Sequence, residues 1–269
     1  MSVLDLDEVA RIFDARADRY VHDDWHRRYA EELVAVTPLR EGDCVLDAGT
    51  GTGFAAAAIA RRVGPAGHVL AVDISPRMLD HARTVCARAQ LHHVEYLQAD
   101  ATALPQLEPS TLDAVVCAAG LLYMPVARAL REWHRLLKTN GVVAFSTMRA
   151  GSPSAGRIFR ECAARFGLDL KDPSDALGTE DRGHHVLHEA GFDRVRVLPG
   201  RVDFASLDPT LAWEANWRGF GPAVRTLSAE DQQLLRDQYM GALTQAMQAD
   251  PAAAARAAVL FAIGHRRAV

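Results

Sequence analysis

Val45-Leu46-Asp47-Ala48-Gly49-Thr50-Gly51-Thr52-Gly53 is the stretch that decides the fold of this chain. A short apolar run ends on an acidic residue, and glycines then follow at every second position. Behind them comes an alanine-rich helical segment, Phe54 to Arg62. The pattern reads as a strand, a tight turn and a helix. Glycine suits such a turn because the backbone needs unusual angles and a close approach to a ligand. The N-terminus of the helix behind it favours negative charge. The stretch therefore predicts an α/β fold that binds a nucleoside-containing cofactor.

The spacing narrows the choice of cofactor. A dinucleotide loop carries glycine at its first, third and sixth positions. Counting from Gly49, the sixth position is Phe54, and the third glycine has moved one place earlier, to Gly53. This speaks against a nicotinamide-dependent oxidoreductase. A phosphate loop would end in Gly-Lys-Ser/Thr, and no such tripeptide follows.

Downstream segments extend the pattern. His68-Val69-Leu70-Ala71-Val72-Asp73 reads as a second strand, with Asp73 at its end, 20 residues beyond Gly53. An acidic residue at that distance is placed to bind ribose hydroxyls. Ser75 suits a helix N-cap and Pro76 a first helical turn. Val94 to Gln98 reads as a third strand running into Asp100, and Asp113 to Ala118 as a fourth. A helix over Ala127–Lys138, a turn at Thr139-Asn140-Gly141 and a fifth strand over Val142–Met148 follow.

These elements, in this order, resemble the class I S-adenosylmethionine-dependent methyltransferases, and most of all their ubiquinone/menaquinone-biosynthesis-like branch. The resemblance covers Phe13 to Met148 and returns at Leu187–Val195. It departs at Thr139-Asn140, where the family usually has Pro-Gly; Asn tolerates the left-handed conformation such a turn requires. The resemblance implies a Rossmann-like, seven-stranded mixed sheet of order 3-2-1-4-5-7-6, its last strand antiparallel. It implies S-adenosylmethionine as cofactor. Asp47 would serve the methionine amino group, with Gly49, Thr50, Gly51 and Gly53 forming the loop. Asp73 would lie at the ribose, and Met78 and Asp100 at the adenine. Ile74, Ala101 and Ala118 (the last at the end of strand four) would also contact the cofactor. Phe13–Tyr20 is similar to the family's Phe…Ala-x-x-Tyr segment, so Tyr20 is a candidate contact on the cofactor side. Tyr20 and Met78 have an equally good reading as core residues.

One domain over 1–269 is expected, with a helical N-terminal cover over 1–40 and a cofactor-binding core over 41–150. An insertion over 151–186 follows strand five, and a helical lid over 206–256 precedes the last strand, Ala257–Arg266. Strand six is read over Val195–Phe204, bending at Pro199-Gly200. Long insertions at strand carboxyl ends are where open α/β sheets bind substrates. Trp213, Trp217 and Phe220 fall on one helix face, either to pack the lid or to wall a pocket for a flat apolar substrate.

Composition excludes some partners. The formal net charge of -4 over 269 residues speaks against a nucleic-acid or anionic-membrane surface. No apolar run approaches the ~18 residues that span a bilayer, and the acidic N-terminus lacks a signal pattern. A soluble, cytoplasmic protein acting on a small molecule is the expectation. Cys44, Cys86, Cys117 and Cys162 show no metal spacing and read as reduced thiols. His22 and His26 share an i, i+4 spacing without an evident third ligand, so no metal is expected.

A carbon or oxygen acceptor usually needs a general base. His22, Tyr123 and His184 are the candidates, with His26 and His185 beside them. A lone histidine is more often a surface or capping residue, and the sequence names no base. That leaves room for a family member that holds the cofactor without methylating, as a cyclase or scaffold.

Overall fold

A computed structural model describes residues 6–20, 24–204 and 207–267. It begins with helices α1 (Leu6–Asp14), α2 (Ala17–Tyr20) and α3 (Asp24–Val36). In α3, Tyr29, Ala30, Leu33 and Val34 recur at helical spacing and form the buried face. Arg27 on its outer side pairs with Asp24 at 2.6 Å and Glu31 at 2.9 Å.

The α/β core then unrolls as β1 (Cys44–Ala48), α4 (Phe54–Val63), β2 (His68–Asp73), α5 (Pro76–Arg88), β3 (Val94–Gln98), β4 (Leu112–Cys117), α6 (Val126–Leu136) and β5 (Leu137–Met148). The remainder is α7 (Ser154–Ala164), α8 (Glu180–Glu189), β6 (Phe192–Asp203), α9 (Pro209–Val224), α10 (Ala229–Ala249), α11 (Pro251–Ala254) and β7 (Arg256–Arg266). The strands form one mixed sheet of order β3-β2-β1-β4-β5-β7-β6, the order the family resemblance implies.

β1 pairs in parallel with β2 on one side and β4 on the other, placing Asp47 opposite both Ala71 and Val116. Strand order reverses at this point, and ligands of open α/β sheets bind outside the carboxyl ends of the strands there. The central strands are apolar almost throughout because helices cover both of their faces. β7 runs against its neighbours. Ala258 near its start meets Arg149 just past the end of β5, whereas Arg266 at its end meets the Leu137 carbonyl at the start of β5.

Three of the boundaries that differ from the sequence reading differ by several residues. β5 starts at Leu137 rather than Val142, so Thr139-Asn140-Gly141 lies inside the strand. Its pairing with β4 slips between Leu112 and Ala114, and Asn140 takes φ +63°. The residues read as a turn are thus an irregularity absorbed by the strand. β6 starts at Phe192 and continues as one strand past Pro199-Gly200. It is the edge of the sheet, where a missing proline N–H costs no ladder bond. The insertion after β5 ends sooner than residue 186, because α8 begins at Glu180.

Internal contacts divide the chain into two compact units. The first comprises Met1–Thr147, Glu180–Leu198 and Phe261–Val269, and the second Met148–Thr179 and Pro199–Leu260. The second unit is mainly helical and has its own core. Phe159 lies 5.5 Å from both Trp213 and Tyr239 and 5.8 Å from Phe220, between ring centroids, and Trp217 stands 5.7 Å from Trp213. The aromatic face of α9 is therefore spent inside this unit's own core. Asp172 ties the unit's loops together, accepting from Arg160 at 2.5 Å, Gly151 N at 2.8 Å and Ser174 N at 2.9 Å.

Candidate functional site

The candidate site lies in the first unit, at the carboxyl ends of β1 to β4. The loop after β1 turns sharply, with Gly49, Gly51 and Gly53 at φ +71°, +55° and +84°. The amides of Gly49 and Thr50 donate to the Val72 carbonyl at 2.9 Å each. A β-carbon on Gly51 would meet no atom within 4 Å. One on Gly53 would meet Ala82 Cα at 2.6 Å. The two glycines are thus required for different reasons. Gly51 borders open space, whereas Gly53 lets α4 start directly against α5.

Asp47 is fully buried. Its Oδ2 accepts the Thr50 hydroxyl at 2.6 Å, and its Oδ1 is buried without a hydrogen-bond partner among the described residues. Burial pushes its pKa up to about 7, against the Thr50 hydrogen bond and a weaker approach of the Ala56 amide, and with the help of nearby Asp73. Asp73 bridges two loops. Its Oδ2 accepts Gly51 N at 2.8 Å and its Oδ1 accepts Ser75 N at 2.9 Å. Burial raises its pKa, opposed by the amides of Ser75, Gly51 and Ile74.

Ser75 caps α5 as expected, its Oγ accepting Met78 N at 3.1 Å, with Pro76 in the first turn. No local sequence pattern signals what lies above it. The Ser75 hydroxyl donates to Asp14 of α1 at 2.5 Å, and Asp18 of α2 receives Arg77 at 2.6 Å. α1 and α2 are thereby held on the β2–α5 turn. A cleft of about 640 Å³ opens beside them, lined by Ile74, Gln98 and Asp100 from the strand ends and by Leu6, Arg11 and Asp14 from α1. Asp100 Oδ1 accepts Thr102 N at 2.8 Å, and its Oδ2 faces Arg128 at 3.3 Å.

Other predicted site residues fall as follows. Met78 is only 1% exposed, a core residue in this structure, and Ala101 is also buried. Ala118 is half-buried just beyond the end of β4. Tyr20 stacks on His26 with centroids 4.2 Å apart, and Trp25 covers the same imidazole at 3.6 Å. Tyr123 is half exposed and meets Phe13 edge-on at 5.1 Å. His184 and His185 sit on α8, where His184 stacks on His188; the buried residues of that helix, Gly183 and Leu187, pack on β6 and β7. The structure does not bring them to Asp47 or Asp73. His22 lies outside the described residues. Among the described residues no group of three His, Cys, Asp or Glu side chains is arranged to hold a metal, and no helix is long and apolar enough to cross a membrane.

Comparison with known proteins places this geometry. The methyltransferase-domain family profile matches residues 45–141, from β1 into β5. The 2-phytyl-1,4-naphtoquinone methyltransferase of Trichormus variabilis is 32% identical over 74% of this chain and 88% of its own. The chain belongs to the class I S-adenosylmethionine-dependent methyltransferases. A second methyltransferase relative, the malonyl-[acyl-carrier protein] O-methyltransferase of Marinomonas sp., is 33% identical. That match spans 63% of each chain, less than two thirds of the relative's length. Among solved structures, a candidate methyltransferase of Bacillus halodurans superposes with TM-score 0.60 over 89% of this chain and 99% of its own. At 20% identity it speaks for the methyltransferase fold alone.

Proposed function

We propose that this protein transfers a methyl group from S-adenosylmethionine to a carbon or oxygen of a small apolar or aromatic metabolite, of quinone type or from specialised metabolism. The observation that carries the cofactor half of this reading is Asp47 Oδ1. A buried carboxylate oxygen without a donor costs free energy unless a ligand supplies one. It lies beneath a loop that leaves the space beside Gly51 open. The ammonium of an amino-acid moiety fits that atom. Asp73 can accept ribose hydroxyls on the lone pairs that its backbone amide partners leave free. Asp100, on the cleft, suits the adenine amino group.

Bound S-adenosylmethionine supplies an electrophilic methyl carbon on a sulfonium, whose departure leaves a neutral thioether. The chain's own work is then to place the acceptor in line and keep water out. The stack of Tyr20, His26 and Trp25 and the Phe13–Tyr123 pair supply flat apolar surface from the N-terminal helices and the β4–α6 connection. Such surface suits a ring-bearing acceptor. The naphtoquinone acceptor in the Trichormus relative's name is of this kind. The helical unit, which follows the carboxyl ends of β5 and β6 in the chain, is read as the segment that selects the substrate.

Incubation with methyl-labelled S-adenosylmethionine and a small-molecule extract of the host tests the proposal. Label in an apolar metabolite is the expected result. Calorimetric binding of the cofactor with label confined to macromolecules, or with none transferred, would overturn it in favour of another acceptor class or a non-methylating role.

A further inference from the structure

Beyond β4 the backbone does something a side-chain-bearing residue rarely does. Ala119 has φ +60°, a left-handed conformation that costs an alanine energy and persists only where its surroundings hold it. The holding group is on the next strand. Ala119 N donates to Ser146 Oγ at 3.0 Å, and Ser146 is 1% exposed. β4 and β5 pair in parallel with Cys117 opposite Phe145, which brings Ser146 level with the turn.

The turn is wedged against the glycine loop. A β-carbon on Gly120 would stand 3.1 Å from Cys117 Sγ and 3.5 Å from the Ala48 carbonyl oxygen. A β-carbon on Gly49 would stand 3.8 Å from Gly120 Cα. Gly120, the residue after Ala119, thus packs directly on Ala48-Gly49, which follow Asp47 in the chain. The course of this turn sets one wall of the space above Asp47.

The geometry points to Ser146 as a positioning residue: its buried hydroxyl holds Ala119 in the left-handed conformation and so shapes the turn after β4 to receive the amino-acid end of the cofactor. The inference rests on the cofactor assignment made above. It requires no chemistry of Ser146 itself and no contact between its hydroxyl and the substrate. It also explains how an alanine stands where a glycine would relieve the strain: the Ser146 bond compensates for the missing freedom.

The test is a cycle of Ser146→Ala, Ala119→Gly and the double variant, with Ser146→Thr as the conservative control, read by calorimetric affinity for S-adenosylhomocysteine. Ser146→Ala is expected to weaken binding by about tenfold, the effect of one buried hydrogen bond on a strained backbone. Ser146→Thr, which keeps a hydroxyl, is expected to stay within about twofold of the wild type. In the Ala119→Gly background the serine is expected to matter by less than about twofold, because glycine adopts the left-handed conformation unaided. Melting temperatures identify any variant that fails to fold, and Ser146→Thr then carries the comparison. Unchanged affinity in Ser146→Ala, or an equal loss in both backgrounds, would overturn the inference. Label transfer to the host extract is read separately. Wild-type protein that binds S-adenosylhomocysteine but transfers no label would overturn the acceptor proposal and leave this cycle to decide the role of Ser146. Wild-type protein that does not bind would overturn both.

Discussion

The carboxylate of Asp73 reaches across from β2 and accepts the Gly51 amide at 2.8 Å. The end of one strand thereby fixes the middle glycine of the loop that follows its neighbour. The other oxygen takes Ser75 N, so a single side chain sets both turns. Asp73→Asn replaces one acceptor oxygen with an NH₂ group that faces an N–H. Hydrogen bonds to a charged group are worth about 1.5–3 kcal/mol, so S-adenosylhomocysteine affinity is expected to fall between about tenfold and a hundredfold. Affinity within twofold of the wild type would sink the ribose assignment.

Asp47 gives binding a pH dependence of defined sign. Its pKa stands at about 7 in the folded protein against 3.8 for a free side chain. The stability this proton contributes is full below 3.8 and is lost as pH rises through about 7. A ligand ammonium pairs only with the ionised form, so binding should release a proton below neutrality and tighten as pH rises toward about 7. Above about 8 the ligand's own amine deprotonates and affinity should fall again. Calorimetry in buffers of different ionisation enthalpy reads the proton directly. Asp47→Asn is expected to flatten the profile below neutrality, and a wild-type profile already flat there would count against the ammonium site.

The glycines of the loop should separate cleanly. Gly53→Ala drives a β-carbon into the Ala82 backbone, and overpacking with left-handed strain is expected to cost about 2–4 kcal/mol of stability. The β-carbon of Gly51→Val meets no protein atom within 4 Å, and its bulk fills the open space at the loop. It is expected to abolish cofactor binding at a cost of about 1–2 kcal/mol in stability. Thermal melts and calorimetry distinguish the two. Retained affinity in Gly51→Val would remove the cofactor from this loop.

Tyr29 is buried, and among the described residues its hydroxyl has only a weak approach to the Ser146 side chain and no full hydrogen bond. Removing an unsatisfied polar group can be neutral or stabilising. Tyr29→Phe is therefore expected to change stability by less than about 1 kcal/mol. A loss above about 2 kcal/mol in chemical denaturation would mean that the phenol is well bonded after all.

What was legible in the sequence was local. β2 and β3 fall on the residues their apolar runs predict, and the Ser75 cap with Pro76 behind it needs only four consecutive residues to be recognised. The family resemblance supplied the sheet order, which no local pattern contains. What stayed hidden depended on partners far along the chain. Gly53 answers to Ala82, Ala119 to Ser146, and Ser75 to Asp14. Periodicity put Trp213, Trp217 and Phe220 on one face but could not say that Phe159 and Tyr239 wait opposite them. The start of β5 was missed because Asn140 carries a turn residue's conformation inside a strand.

The contact between Gly53 and Ala82 also bears on how this sequence can drift. The α-carbon of one and the methyl of the other fill a single gap between α4 and α5, so neither position is free to change alone. A larger side chain at 82 would press on the loop even though it lies outside the site, and a relative bearing one would need the two helices set farther apart. The two positions should therefore vary together among descendants of this chain, as one inherited character written in two places.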